Sequence, residues 1–353
     1  MNIRFYNARV LTMVDGQDLF EGEVWVSDNK IAYVGESANA PTALAWDREV
    51  DCRGNVLMPG FKNAHTHSAM TVFRSLADDL NLQDWLHTMI FPREAKMTGE
   101  DCYTLTKLAV LEYLTTGVTA IGDMYLTPET IADACAEMGM RCVLVSGLNM
   151  FGPAMSVMED RFNNLNGKYD LVSYKMGLHA EYTCSKELLE EASKLIHKYE
   201  APLYVHMSET KTEVDECIER YGITPPALFE QLGLFDFGGT IYHGVHAVQE
   251  LADVEGFSDE FKLYERVERL APQVIGRKRK IYKGVASNVD FYSGLLYSML
   301  DIPCELYTPL FATARIAGWS AHRLEELVNT GKIIRPAYMS ISDEKEYRNL
   351  NER

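Results

Sequence analysis

The chain lacks any apolar run approaching the ~20 residues that a membrane-spanning helix requires. It has no internal repeat, no low-complexity segment, and seven cysteines with no Cys-x-x-Cys spacing. Odd, unpatterned cysteines in a long chain read as reduced thiols, so a cytoplasmic location is expected and a disulfide framework is not. Positive charge is scarce: 34 Lys and Arg stand against 51 Asp and Glu, a net charge of −17 over 353 residues. That balance argues against nucleic acid or an anionic membrane as a partner. Met1 leads directly into a strand-like segment, so no signal peptide is expected.

The negative charge is uneven. Residues 1–247 carry 19 basic and 35 acidic side chains, whereas residues 248–353 carry 15 and 16. Two kinds of material are therefore expected to meet near residue 247.

Before that point the chain reads as β-rich and then βα-repeating. Residues 1–58 contain short segments at Arg4–Met13, Gly22–Val26, Lys30–Val34 and Glu49–Leu57. The turn residues Asp15-Gly16 and Asp28-Asn29 punctuate them, which predicts β-sandwich strands. From residue 59 to 247, apolar strands at Met58–Ala64, Val118–Tyr125, Arg141–Gly147, Tyr174–His179, Pro202–Met207 and Thr240–Val245 alternate with helices such as Thr98–Thr116, Pro128–Gly139 and Ser185–Lys198. The expected fold class is α/β, an incomplete TIM-type (β/α) barrel with about six of the eight units that closure needs. From 248 to 353 the pattern turns all-α, with helices expected at Asp259–Leu270, Gly276–Gly284, Phe291–Leu300 and Leu310–Thr330. A barrel stopped early leaves strand edges and apolar surface open. Either the tail helices pack against that opening or the chain forms a homo-oligomer.

Candidate chemistry lies at the strand ends. His65 and His67 close the first barrel strand after Pro59-Gly60; at spacing i, i+2 their imidazoles share one face. His179 ends the fourth strand, His206 and Glu209 follow the fifth, and His243 the sixth. Barrel strand ends converge on one mouth. Three neutral imidazoles suit Zn²⁺ or Fe²⁺, and such a cation lowers the pKa of a coordinated water toward neutrality. A nearby glutamate can then carry the proton to a leaving amine. His87, His197 and His246 read as structural or surface residues, and any single strand-end histidine also has a structural reading.

The stretches PGFKNAHTHSAM, LQDWLHTMIFPREAKMT, GLHAEYTCS, LYVHMSET and IYHGVH resemble the amidohydrolase superfamily, in particular the methylthioadenosine/S-adenosylhomocysteine deaminases. The resemblance implies His65, His67 and His206 as metal ligands and Glu209 as proton shuttle. It implies His243 as the group that polarises a purine or stabilises the tetrahedral intermediate. Trp85, His179 and Glu94 match substrate-contacting positions, Glu94 being placed for ribose hydroxyls. Ser146 departs from the pattern, where many members carry arginine. The family's metal-binding aspartate from an eighth strand has no matching segment; Asp253, Asp259, Asp290 and Asp301 are the candidates, and none ends an apolar strand.

The tail resembles the C-terminal part of citrate synthase through Asn288–Gly294, LYTPLFATARIAGWSAHRLEEL and Ile334-Arg335-Pro336. That resemblance implies Asp290 as the base acting on acetyl-CoA, Arg315 as a carboxylate-binding arginine, and Arg335 as one contributed across a dimer interface. His322 matches a scaffold position, and the two histidines such chemistry needs are replaced by barrel sequence. Three readings follow: an aminohydrolase for an adenosine-type purine nucleoside, its activity reduced by the absent aspartate; a citrate synthase-type acyltransferase joining acetyl-CoA to oxaloacetate; or an inactive fusion of two partial enzymes.

Overall fold

In the N-terminal segment β-branched and aromatic residues alternate with polar ones, and five strands form there: β1 (Asn2–Val10), β2 (Phe20–Ser27), β3 (Lys30–Gly35), β4 (Arg48–Asp51) and β5 (Val56–Leu57). The computed structural model describes the chain except residues 15, 42–44, 75, 77–79, 81, 153, 245–255, 279–290, 301 and 309–353; of 276–278 it describes only the helical backbone. Residues 1–61 are a unit of their own. In it β1 runs antiparallel to β2 and parallel to β4 and β5. The β2–β3 turn carries Asp28 at φ 53°, a conformation a short side chain that hydrogen-bonds locally tolerates best.

All five strands belong to one sheet, so the sandwich layering expected from the sequence is absent among the described residues. Side chains cover both faces of β2 instead. Ala8, Val10 and Val24 pack with Phe5, Phe20, Cys52 and Leu57. Trp25, next to Val24 and therefore on the opposite face, lies 5.1 Å from the Tyr33 ring and 4.8 Å from the Trp46 ring.

The second unit, Lys62–Arg353, contains the βα repeats. Its strands are β6 (Phe61–Thr66), β7 (Val118–Met124), β8 (Arg141–Val145), β9 (Val172–Ala180), β10 (Leu203–His206) and β11 (Gly239–Tyr242). They lie side by side in chain order, and the pairs from β7 to β11 are parallel. The result is a curled half-barrel sheet, as the six-unit pattern predicts.

Two short helices, α1 (Leu82–Asp84) and α2 (Phe91–Glu94), flank a π-helical turn at Trp85–Ile90. The longer connections are α3 (Gly99–Thr115), α4 (Pro128–Met138), α5 (Met155–Leu165), α6 (Lys186–Tyr199), α7 (Lys211–Tyr221) and α8 (Pro225–Gln231). Their ends obey local rules. Thr98 and Asp101 form a reciprocal capping box, Ser185 and Thr210 accept main-chain N–H groups, and Gly139 and Gly222 end α4 and α7 in the left-handed region.

The core sits between these helices and the central strands, with Ile131, Leu144, Tyr174, Met176, Leu178, Val205 and Phe229 fully buried. The flanking strands differ. β6 mixes exposed with half-buried positions, and β11 is buried only at Tyr242, with Ile241 40% exposed. This is the burial expected of strands at the ends of an unclosed sheet.

Beyond Tyr242 the described residues contain helices and no strand. Ser258–Lys278 is one helix, where the sequence suggests two; Pro272 removes a donor inside it without ending it. The next helix is Ser293–Met299, inside the expected Phe291–Leu300. Phe261, Tyr292, Leu295 and Met299 form an apolar cluster that shares no residue with the barrel core. The expected Leu310–Thr330 helix lies outside the described residues. No helix of those described is long and apolar enough to cross a membrane.

Close main-chain approach is needed within β9. A Cβ on Gly177 would lie 2.3 Å from the Ser146 carbonyl oxygen and 2.9 Å from that of Tyr204. Neither backbone atom can step aside, so Gly177→Ala is expected to destabilise the fold by about 3 kcal/mol, at the upper end of overpacking costs. Urea unfolding at constant m-value checks this.

Candidate metal centre

The carboxyl ends of β6, β9, β10 and β11 bring the strand-end histidines together. In the β10–β11 register His206 pairs with Tyr242, which sets His243 one step beyond, at φ 58°. His206 Nε2 lies 3.1 Å from His65 Nε2. One potential ligand atom from each of His65, His206 and His243 falls within 4.8 Å of the others. The His67 ring lies 4.7 Å from that of His65 and 5.4 Å from that of His206. The tightest donor set is thus His65, His206 and His243, with His67 adjoining. The sequence-implied set of His65, His67 and His206 overlaps it in two members.

Main-chain carbonyls set the tautomers. A carbonyl only accepts, so His206 Nδ1–H donates to the His179 oxygen at 2.8 Å, and His67 Nδ1–H donates to the Met124 oxygen. Each ring therefore keeps an unprotonated Nε2. This is the arrangement in which a second hydrogen bond orients a metal-binding imidazole. Two such lone pairs close together repel unless one ring donates a proton or a cation lies between them. The Tyr242 ring stacks on His65 at 3.9 Å and 25°, while the buried His65 Nδ1 has no hydrogen-bond partner.

Burial keeps the His65, His67 and His206 rings neutral. Desolvation pushes His65 down to about 3 and His206 to about 2, with neighbouring histidines acting in the same direction. His67 is lowered by burial as well, and His179 falls to about 4. Neutral imidazole is the form that ligates a metal. The donors are therefore free at neutral pH, and the nitrogen set fits a cation of the zinc or iron type.

Glu209 is half-buried, and desolvation raises its pKa while His243 opposes the rise. Behind it, Glu213 is 2% exposed, and its two carboxylate oxygens accept the Ser208 N–H at 2.9 Å and the Glu209 N–H at 3.0 Å. Desolvation carries Glu213 up to about 7 against the pull of those two bonds.

The remaining residues implied as substrate contacts surround this cluster. Trp85 donates Nε1–H to the Leu76 oxygen at 3.0 Å. With His67, Phe73, Leu76 and Tyr113 it lines a cavity of about 630 Å³. Glu94 closes α2 and is raised by burial, while a hydrogen bond with Tyr125 lowers it. His179 Nδ1 lies 3.1 Å from Thr183 Oγ1; that hydroxyl donates to the Ala180 oxygen, so the His179 ring donates to it. Ser146 is buried just beyond β8. Asp259 is exposed at the start of its helix, 3.8 Å from Lys262. Asp253, Asp290, Asp301, Arg315, His322 and Arg335 lie outside the described residues.

Sequence reasoning missed Asp123, Tyr242 and Glu213. Asp123 is fully buried at the end of β7. Its Oδ2 accepts the Ser68 N–H at 3.1 Å, which pins the turn after His67, and its Oδ1 has no partner. A carboxylate inside the apolar run Ile121-Gly122-Asp123-Met124 was the available signal.

The Amidohydrolase family profile matches residues 56–275, more than half of the chain. The chain belongs to the amidohydrolase family. A second profile, the C-terminal domain of citrate synthase, matches residues 244–337. Over 253 residues the chain is 38% identical to a 5-methylthioadenosine/S-adenosylhomocysteine deaminase of Desulforamulus reducens, covering 70% of this chain and 58% of that protein. It is 35% identical over 249 residues to a 5'-deoxyadenosine deaminase of Methanobrevibacter smithii, covering 69% and 56%. Among solved structures, a zinc-bound adenosine deaminase from Xanthomonas campestris superimposes with a TM-score of 0.62 at 28% identity, covering 68% of this amidohydrolase chain and 57% of that one. The chain thus spans less than three-fifths of the length of these curated relatives.

Asp123 gives this centre a pH signature. Burial raises its carboxyl from 3.8 to about 6, so between those values the folded chain binds more protons than the unfolded one. Stability from this group is complete below about pH 4 and falls by about 3 kcal/mol as pH rises through 6. Asp123→Asn, which keeps an acceptor for Ser68, should gain more stability at pH 8 than at pH 5, as measured by urea unfolding at both.

Proposed function

We propose that this chain is a metal-dependent aminohydrolase that removes the exocyclic amine of an adenosine-type purine nucleoside, such as methylthioadenosine or S-adenosylhomocysteine. The observation that carries the reading is the convergence of the strand-end imidazoles of His65, His206 and His243, with His67 adjoining, in which the Nδ1–H groups of His206 and His67 are tied to main-chain carbonyls. The names of the similar proteins point to the same substrate class.

In this reading His65, His67 and His206 hold Zn²⁺, with Fe²⁺ as the alternative. The bound cation supplies Lewis acidity and acidifies a water. Glu209 takes a proton from the attacking water and delivers it to the departing amine, a task for which a burial-raised carboxyl is suited. The water oxygen adds to the amine-bearing ring carbon, the C–N bond breaks, and ammonia leaves. His243, the exposed member of the cluster, polarises the ring. Trp85, His179 and Glu94 hold the nucleoside, with Glu94 on the ribose hydroxyls.

No segment of the sequence after His243 matches the one that carries the family aspartate, and on this reading turnover is reduced; each ~1.4 kcal/mol lost in the transition state is tenfold. The match at residues 244–337 supports a second reading, citrate synthase-type acyl transfer through Asp290, Arg315 and Arg335. Among the described residues β6 and β11 each have a strand neighbour on one side, which supports homo-oligomer formation. Five of the seven cysteines are buried and none is paired, in keeping with the cytoplasm.

Purified chain should carry near-stoichiometric zinc or iron that is lost in His65→Ala and His206→Ala. It should release ammonia from adenosine, methylthioadenosine or S-adenosylhomocysteine. Glu209→Gln should keep the metal and lose about 10²–10⁴ in kcat, the usual worth of general acid–base catalysis. Absence of bound metal after reconstitution overturns the reading. CoA release from acetyl-CoA plus oxaloacetate would favour acyl transfer, and silence in both assays points to an inactive fusion.

A further inference from the structure

The residues that follow His206 leave β10 through Met207, Ser208 and Glu209 before α7 begins. Ser208 is a non-glycine residue in the left-handed region, at φ 56°, so something must hold this bend. Glu213, one turn into α7, holds it: one carboxylate oxygen takes the Ser208 N–H and the other the Glu209 N–H. The Thr210 hydroxyl returns the favour at the helix start by accepting the Glu213 N–H at 3.2 Å. In an ordinary capping box the third helical residue would reach the N–H of the cap residue, here Thr210. Glu213 reaches past it, to the two residues upstream, so its bonds fix the segment before the helix and not the cap.

The surroundings leave the carboxylate to that task. Glu213, Cys217 and Arg220 are spaced along one face of α7. Arg220 pairs with the buried Glu181 at 2.7 Å, and Cys217 is fully buried.

We propose that Glu213 is the positioning residue for Glu209: by clamping the Ser208 and Glu209 amides it fixes the main chain from which the acid/base side chain projects. The proposal rests on the functional reading given above for the role of Glu209, but the clamp itself is open to a separate test. Glu213→Gln preserves side-chain volume yet offers one acceptor for two donors, and it faces the second N–H with an NH₂ group.

The experiment combines amide hydrogen exchange, metal content and steady-state kinetics on the full chain, for the wild type, Glu213→Gln and Thr210→Ala. In Glu213→Gln, exchange of the Ser208 and Glu209 amides should rise at least tenfold, while the later amides of α7 and the bound-metal stoichiometry stay as in the wild type. The kcat for ammonia release should fall at least tenfold with KM within twofold. Thr210→Ala, which loosens the helix start and leaves the carboxylate in place, should lower the melting temperature without that fall in kcat. Unchanged exchange at Ser208 and Glu209, a rise spread evenly over α7, or an equal loss of kcat in Thr210→Ala would overturn the proposal. A wild type that releases no ammonia from any of the three nucleosides would sink the functional reading instead, while the exchange result still decides whether Glu213 holds this segment.

Discussion

Two hydrogen bonds from ring to main chain, His206 to the His179 oxygen and His67 to the Met124 oxygen, govern the chemistry available at the carboxyl end of the sheet. They satisfy one nitrogen of each buried imidazole and leave the other as a lone pair. An imidazolium in these positions would carry a desolvated charge beside other histidines, which is why burial drives His206 and His65 so far down. The acceptors belong to β9 and β7, so neighbouring strands orient the rings. Sheet register and ring chemistry are therefore one constraint: shifting β9 by one residue against β10 would remove the carbonyl that holds His206.

The same sheet explains the unequal burial of its strands. Four central strands have a neighbour on each side and bury most of their side chains, as in β9 and β10. Among the described residues the outer two have a neighbour on one side. His65 belongs to one outer strand and His243 follows the other, yet their ring centres lie 5.0 Å apart. The curl of the sheet brings its first and last strands toward each other at the carboxyl end, so the histidine cluster spans the opening that closure of a full barrel would fill.

Much of this was legible in the chain. Strand-end histidines at His65, His67, His179, His206 and His243 announce themselves by following apolar runs, and the expected helix starts at Thr98 and Ser185 coincide with side-chain oxygens placed for capping. What was not legible depends on contacts between distant residues. Tyr242 reads as an ordinary strand aromatic until the curl lays it on His65. Asp123 carries no periodic signature, because a single buried carboxylate is defined by its partner Ser68, 55 residues away. The π-helical turn at Trp85–Ile90 leaves no composition cue, and the single helix through Pro272 runs against proline's usual reading as a stop. Glu213 was passed over, because its two main-chain partners, Ser208 and Glu209, lie upstream of the helix that carries it.

The charge balance around the cluster carries the metal reading one step further. Asp123, Glu181 and Glu213 are all buried at the carboxyl ends of β7, β9 and β10, and Glu209 is half-buried beside them. Among the described residues the ion pair recorded for these four carboxyls is Arg220 with Glu181. Main-chain N–H groups serve Asp123 and Glu213, but these are dipoles and leave the net charge negative. Neutral imidazoles add none of the missing positive charge. Desolvation raises the Asp123, Glu209 and Glu213 carboxyls above their ordinary values. A divalent cation among the histidines would be the largest local charge and would pull those carboxyls back toward ionisation.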